Sequence, residues 1–353
     1  MGFEFLRAYG GRRLGRYPVQ PLLEAPEPDG GAEGDDAETI NRDFEVPAEE
    51  WRPIDVRTAV PADDETPVRF IDGCNVGQTV AWVQDGAGHP IPLRLAQIGG
   101  VCIRAHGRVL CREAAPLDRV VALIADPFPW AEIEGFAVAL AADGYRMVPV
   151  APPKLGEDDR RGLTFDFQRM HMQTLNGVMA EMVALEEAAL CHDLATPTVV
   201  DGRLNRFRHG LSEHDVLGVV KLQHRDYLHP AGWRVLYRLE PGQRTPAFVL
   251  DNPAQKEIPV VSWFLKLAGQ DRAMPNWGVV RVEYPLRRFH QTGTEFGRLD
   301  RLSHALYRIR CRTQSYARAA VSLEPIVRAE ESLSALFCPT AMLAQHFYRM
   351  TSL

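Results

Sequence analysis

VRFIDGC (68–74) is a short apolar run that ends in Asp-Gly, and TPTVVDGRL (196–204) repeats the pattern. An Asp that closes such a run lies at the carboxyl end of a strand, where a rigid sheet presents it to solvent. The Gly beside it permits a turn or the close approach of a ligand. Between the two runs lies the clearest helix in the chain. Residues 166–194 contain no Pro, and Leu175, Met179, Met182, Leu185 and Ala189 recur at helical spacing. Pro197 marks its end.

Outward from this frame the pattern continues. QTVAWVQDG (78–86) and IPLRLAQIGGVCIRAHG (91–107) follow 68–74 as strands, an antiparallel series of three. LDRVVALIA (117–125) suits strand or helix, IEGFAVALAADG (133–144) reads as a helix closed by Gly144, and YRMVPVAPP (145–153) as an exit strand or loop. VLGVVKLQ (216–223), WRVLYRL (233–239), PAFVLD (246–251), VVSWFLKL (260–267) and WGVVRVEYP (277–285) read as further strands. Residues 299–353 read as two or three helices. This order predicts an α/β fold, a mixed β-sheet flanked by helices with C-terminal helical elements.

The chain has 353 residues, 46% of them hydrophobic and 24% charged, which excludes disorder of the whole chain. No uninterrupted apolar run is long enough for a transmembrane helix, and the N-terminus lacks the apolar core of a secretion signal. Six cysteines stand at 74, 102, 111, 191, 311 and 338 without a C-x-x-C pair, so the expectation is a reduced, cytoplasmic protein. No phosphate-loop motif argues for an ATPase.

Charge divides the chain. Residues 1–66 hold 16 acidic and 7 basic residues, a net of -9 within a total of -6, which leaves +3 for residues 67–353. Within 24–66, Pro, Gly and acids dominate. The expected organisation is therefore an N-terminal segment, 1–66, whose acidic arm is a long loop or partly disordered, followed by a single domain, 67–353. Residues 281–328 carry ten Arg, no Lys and four acids. Arg suits phosphate, but such a run also fits a solvated helix face.

Asp72 and Asp201 close the two decisive runs, and the helix between them carries Glu181, Glu186 and Glu187. Carboxylates from two strand ends and a helix can converge on Mg²⁺ or Mn²⁺, and a two-metal site stabilises the attacking and leaving oxygens at phosphorus. Asp-Gly after a strand is equally a turn signal, and helical Glu is commonly a surface residue. Arg203, Arg206 and Arg208 follow Asp201 and fit either a DNA-backbone contact or a polar loop. Trp263, Phe264, Trp277 and Tyr284 fit base stacking or, in strands, core packing.

RFIDGCN, LEEAAL, VVDGRL with VLGVVK, VVSWFLKL and WGVVRVEYP, in this order over residues 66–335, resemble the NurA nucleases. The resemblance implies an RNase H-like fold with the strand order of Argonaute Piwi domains. It implies a Mn²⁺- or Mg²⁺-dependent deoxyribonuclease that works in DNA end resection with the hexameric HerA ATPase, as a homodimer and away from the membrane. Residue by residue it assigns Asp72, Asp201 and Glu186 as catalytic metal ligands, with Glu187 as the close alternative and Glu181 a weaker one. It assigns Lys221 as the basic residue after the next strand. The family carries a His near its C-terminus where SYARAAVSLEP stands here, so Glu324 is the candidate ligand at that place and His304 a weaker one. The departure motivates a competing reading, a non-catalytic DNA-binding or motor-docking module. A third keeps the fold and changes the substrate to RNA or an RNA–DNA hybrid.

Overall fold

In the computed structural model, residues 3–14, 39–151, 167–208, 210–221, 226–253, 257–269, 274, 276–313 and 315–353 are described. The strands are β1 (Arg12–Arg13), β2 (Thr39–Asn41), β3 (Ile54–Asp55), β4 (Arg69–Gln84), β5 (Pro90–His106), β6 (Val109–Ala114), β7 (Leu117–Ile124), β8 (Arg146–Val150), β9 (Thr198–Asp201), β10 (Val216–Val220), β11 (Gln243–Arg244), β12 (Phe248–Asp251), β13 (Val260–Lys266) and β14 (Val279–Pro285). The helices are α1 (Glu4–Ala8), α2 (Trp130–Ala142), α3 (Phe167–Cys191), α4 (Pro230–Leu236), α5 (Leu286–Gln291), α6 (Phe296–Arg308), α7 (Glu324–Ser334) and α8 (Thr340–Thr351).

One mixed sheet runs β2-β12-β13-β14-β10-β9-β4-β5-β7-β8. The β4–β9, β9–β10 and β7–β8 pairs are parallel, and the other neighbours on this path are antiparallel. The fold is thus the expected α/β arrangement with helices at its C-terminal end. Helix α3 spans two cores on one face. Val178 and Met182 pack with β5, β7, α2 and α8, while Ala189 and Leu190 pack with Ile71 and Val200. On the opposite face α6 and the start of α7 cover Leu217, Val219, Val280 and Val282. Farther along α7, Ala329 and Leu333 meet Val101 and Ile103 of β5. No helix among the described residues is long and apolar enough to cross a membrane.

Two expectations need correction. Residues 68–74 and 78–86 are not separate strands. β4 runs unbroken through Asp72-Gly73, because Gly73 serves a close approach rather than a turn. WRVLYRL is not a strand either. His229 caps the N-terminus of α4 by accepting from the Gly232 N–H at 3.1 Å, Pro230 opens the helix, and a helical turn follows. Residues 24–38 of the acidic stretch lie outside the described residues. Downstream of them, β2 pairs with β12 and β3 with β11, so 39–55 follows the sheet edge.

Gly73 and Gly100 face each other across β4 and β5, beneath α3. A Cβ on Gly100 would come within 2.6 Å of the Glu186 Cα, which is helix backbone and cannot swing away. Gly100→Ala is therefore expected to cost roughly 1–3 kcal/mol by overpacking, read from urea unfolding. Gly135 in α2 has nothing within 4 Å of such a Cβ. The control Gly135→Ala should leave stability unchanged or raise it by about 1 kcal/mol.

Candidate active site

The parallel pairing of β4 with β9 places Ile71 opposite Val200. One step on, each strand carries an aspartate, Asp72 and Asp201, so the two carboxylates start from adjacent backbones about 5 Å apart. β10 extends the row. Val219 pairs with Asp201, and Lys221 lies two residues on, toward the same face. Its Nζ donates to Asp201 Oδ2 at 2.6 Å. Gly202 follows Asp201 with φ +114°, so here Asp-Gly is a true turn.

Glu186 arrives from the other side. Its carboxylate occupies the space that a side chain on Gly73 would fill, since a Cβ there would stand 2.7 Å from Glu186 Cδ. The 3-10 turn Leu204–Arg206 brings Arg206 onto the same carboxylate as an ion pair. That turn is fixed from below, where fully buried Glu283 of β14 accepts from the Leu204 N–H at 2.8 Å.

Asp72 is 7% exposed. Its Oδ1 accepts from the Gly73 N–H at 2.8 Å, while among the described residues Oδ2 accepts no hydrogen bond and neither oxygen is in an ion pair. Burial, then the charge of Asp201, then that of Glu186 push its carboxyl well above the usual range, with Lys221 opposing. Burial works against the charge of Lys221, but Asp201 and Asp72 outweigh it and hold the ammonium above the ordinary lysine value.

The structure therefore brings together Asp72, Glu186, Asp201 and Lys221. Glu187 is buried and its charge acts on Cys191. Glu181 pairs with Arg146 at 2.8 Å. Glu324 stands in the first turn of α7, tied to Arg328 at 2.6 Å and Thr313 at 3.4 Å, and is not brought to the cluster. Buried His304 donates from Nδ1 to the Val56 carbonyl at 2.8 Å, a packing role. Arg203 lies 3.8 Å from both Glu257 and Glu283, Arg206 is held by Glu186, and Arg208 is exposed. Trp263, Phe264 and Tyr284 are buried in the sheet, so they pack rather than stack on a ligand, and Trp277 is half-buried.

Tyr316 and Glu330 escaped the sequence reading. The Tyr316 hydroxyl donates to Glu330 Oε2 at 2.7 Å, and burial together with Glu330 raises its pKa against Lys221. Glu330 and Ser334 are one turn apart on α7 and face β4. Ser334 Oγ lies 3.8 Å from Cys74 Sγ, and both Glu330 and Asp72 act on the Cys74 thiol. Cys74 and Asp72 share one face of the strand. Glu330 is six residues beyond Glu324, a rotation of about 240° around the helix. The available signal was its place beside the apolar stripe Ile326, Ala329 and Leu333.

Divalent-cation chemistry fits this donor set in kind. A buried carboxylate with an open oxygen adjoins a second aspartate, and a glycine cradle seats the third carboxylate on the α3 side of the same strand. As the side chains stand, Glu186 turns to Arg206 and Asp201 to Lys221. Among the described residues no group of three or more His, Cys, Asp or Glu is close enough to hold a metal ion.

No family model and no curated protein sequence matches the chain. Among solved structures it is similar to the NurA nuclease from Sulfolobus solfataricus, at 12% identity and a TM-score of 0.38, over 81% of this chain and 82% of that one. A likeness this loose carries no weight for the activity, which has to rest on the residues themselves.

The raised carboxyl of Asp72 has a signed consequence. The folded state holds this proton to higher pH than the unfolded chain, so stability is lost as pH rises from the ordinary aspartate range through the raised value. In EDTA, Asp72→Asn should be more stable than wild type at neutral pH, and the gap should close below about pH 4. Urea unfolding across that range measures it, and a constant gap would refute it.

Proposed function

We propose that this protein is a metal-dependent nuclease that hydrolyses phosphodiester bonds in DNA. The observation that carries the reading is Asp72, a buried carboxylate in no ion pair, set beside Asp201 and Glu186. Asp72, Asp201 and Glu186 would hold Mn²⁺ or Mg²⁺, with Glu330 at the rim. Bound there, a pair of such ions lowers the pKa of a water for attack and stabilises the leaving oxygen. Lys221 holds the Asp201 carboxylate in place through their ion pair, and in this reading its charge would face a scissile phosphate. Arg206 does the same for Glu186. Tyr316 fixes the orientation of Glu330. The same reading brings, through the resemblance, a role in DNA end resection, a HerA-type ATPase partner and a homodimer.

One observation favours a second reading, a non-catalytic DNA-binding or motor-docking module. Lys221 and Arg206 already neutralise two of the three carboxylates. The module would bind DNA and leave it uncut with either ion.

End-labelled single- and double-stranded DNA, RNA and hybrid substrates, incubated with Mn²⁺, Mg²⁺ or EDTA, separate these readings. Cleavage that needs metal and falls about 100-fold or more in Asp72→Asn and in Asp201→Asn, with DNA binding retained, is expected. Full activity in either variant would remove that residue from the site. Glu330→Gln should weaken Mn²⁺ affinity by about tenfold in equilibrium dialysis while the fold persists. Glu324→Gln should change neither.

A further inference from the structure

Most of the deeply buried arginines among the described residues meet carboxylates. Arg69 reaches Glu113, Arg206 reaches Glu186, Arg244 reaches Glu45, and Arg281 reaches Glu283. Arg94 of β5 departs from that pattern. Its Nε is buried and bonded to nothing, and its guanidinium makes one long hydrogen bond, from Nη2 to the Gly77 carbonyl at 3.4 Å. Burial pulls its pKa down, and no carboxylate offsets the loss.

Its neighbours deepen the imbalance. Thr79 faces Arg94 across the β4–β5 ladder, and its hydroxyl lies 3.1 Å from Nδ1 of His171 in α3. Burial and then the charge of Arg94 push the His171 imidazole down. On the same side of β4, Asn75 Nδ2 meets only the Met179 sulfur at 3.3 Å, and Asn75 Oδ1 is buried without a partner. A guanidinium, an imidazole and a hydroxyl thus share a half-buried patch between α3 and the β4–β5 hairpin with no carboxylate beside them among the described residues. Such an arrangement costs free energy until an anion arrives.

We propose that Arg94, His171 and Thr79 form an oxyanion site that takes a phosphate group. The planar fork of Arg94 matches two phosphate oxygens, and the imidazole and hydroxyl supply further donors at its side. The site lies on the α3 side of β4, with Thr79 six residues from the Gly73 cradle of Glu186 and so roughly 20 Å along the strand. It is separate from the carboxylates and uses none of them. A phosphate reaches it from the backbone of a nucleic-acid strand or as the free ion.

Titration calorimetry and thermal unfolding of the full chain, with inorganic phosphate against chloride at matched ionic strength in EDTA, test the site without metal or cleavage. Wild type should bind phosphate and melt higher in it. Arg94→Met should lose about tenfold or more in phosphate affinity, and Arg94→Lys should retain part of it. In chloride Arg94→Met should be no less stable than wild type, since it removes an unpaired buried charge. If it fails to fold, Thr79→Val with His171→Gln takes its place in the same comparison. A second arm measures a single-stranded oligonucleotide on Asp72→Asn, with and without Arg94→Met. Loss in both arms supports the site and makes its source the strand. Loss for phosphate alone supports the site and makes its source the free ion. Equal binding of phosphate and chloride by wild type, with oligonucleotide affinity untouched by Arg94→Met, overturns the proposal, and neither result bears on whether the protein is a nuclease.

Discussion

Everything around the carboxylates depends on how α3 seats on β4. The Gly73–Gly100 pair lets the helix backbone come down onto the strands at Glu186. A side chain at Gly100 would hold the helix off, and one at Gly73 would take the place of the Glu186 carboxylate itself. Closeness alone would still allow the helix to slide, and Arg69 prevents that. This fully buried residue of β4 donates to the carbonyls of Ala189 at 3.0 Å and Leu190 at 3.3 Å, and to that of Asp193, just beyond the end of α3. These carbonyls are among the unpaired acceptors of a helix C-terminus, where a cation is doubly favoured. Arg69 is three residues before Asp72, and the carbonyls it grips begin three residues after Glu186. The strand that carries one acid therefore holds the end of the helix that carries the other.

The same logic of internal pairing explains why the Arg-rich stretch 281–328 is not an open basic surface. Arg281 meets Glu283, and Arg328 meets Glu324 and Glu331. Other counter-charges come from far away in the sequence. Glu65 holds Arg298 and Arg301, Asp215 holds Arg288 and Arg298, and Glu213 holds Arg287. Glu65 belongs to the stretch that composition alone marks as a solvated acidic arm, yet it is 6% exposed. A local charge count sees neither end of such a pair. Buried ion pairs of this kind are costly to break rather than strongly stabilising, so they fix geometry more than they add stability.

Legibility followed the same boundary between local and non-local causes. The long helix, the strand ending in Asp201 and the run of β12, β13 and β14 were readable because periodicity and turn residues act within a few positions. The unbroken β4 was not, because glycine marks a turn and a close approach with the same letter. Asp201-Gly202 is the first and Asp72-Gly73 the second, and only the helix lying above Gly73 distinguishes them. Among the three glutamates of α3, only the resemblance favoured Glu186, and the structure sends Glu181 to Arg146 and Glu187 toward Cys191. Tyr316 and Glu330 were unreadable because fourteen residues separate them and their common ground, Lys221 and Cys74, comes from two other strands.

The cations at the site also explain how so much negative charge stays in one place. Asp72, Glu186, Asp201 and nearby Glu330 offer four carboxylates, while Lys221 and Arg206 supply two positive charges. The shortfall falls on Asp72, the buried member that neither cation grips, which is why its carboxyl is displaced upward while Lys221 is held in its charged form. An apolar core of the same shape would carry no such conflict, and a fully neutralised cluster would leave Asp72 ordinary. What remains is a fold that spends part of its stability to hold an excess of oxygen ligands beside two movable side-chain cations. That balance suits a site whose missing charge is brought by a ligand. Under the proposed metal chemistry, Lys221 and Arg206 would be the side chains an entering divalent cation has to displace.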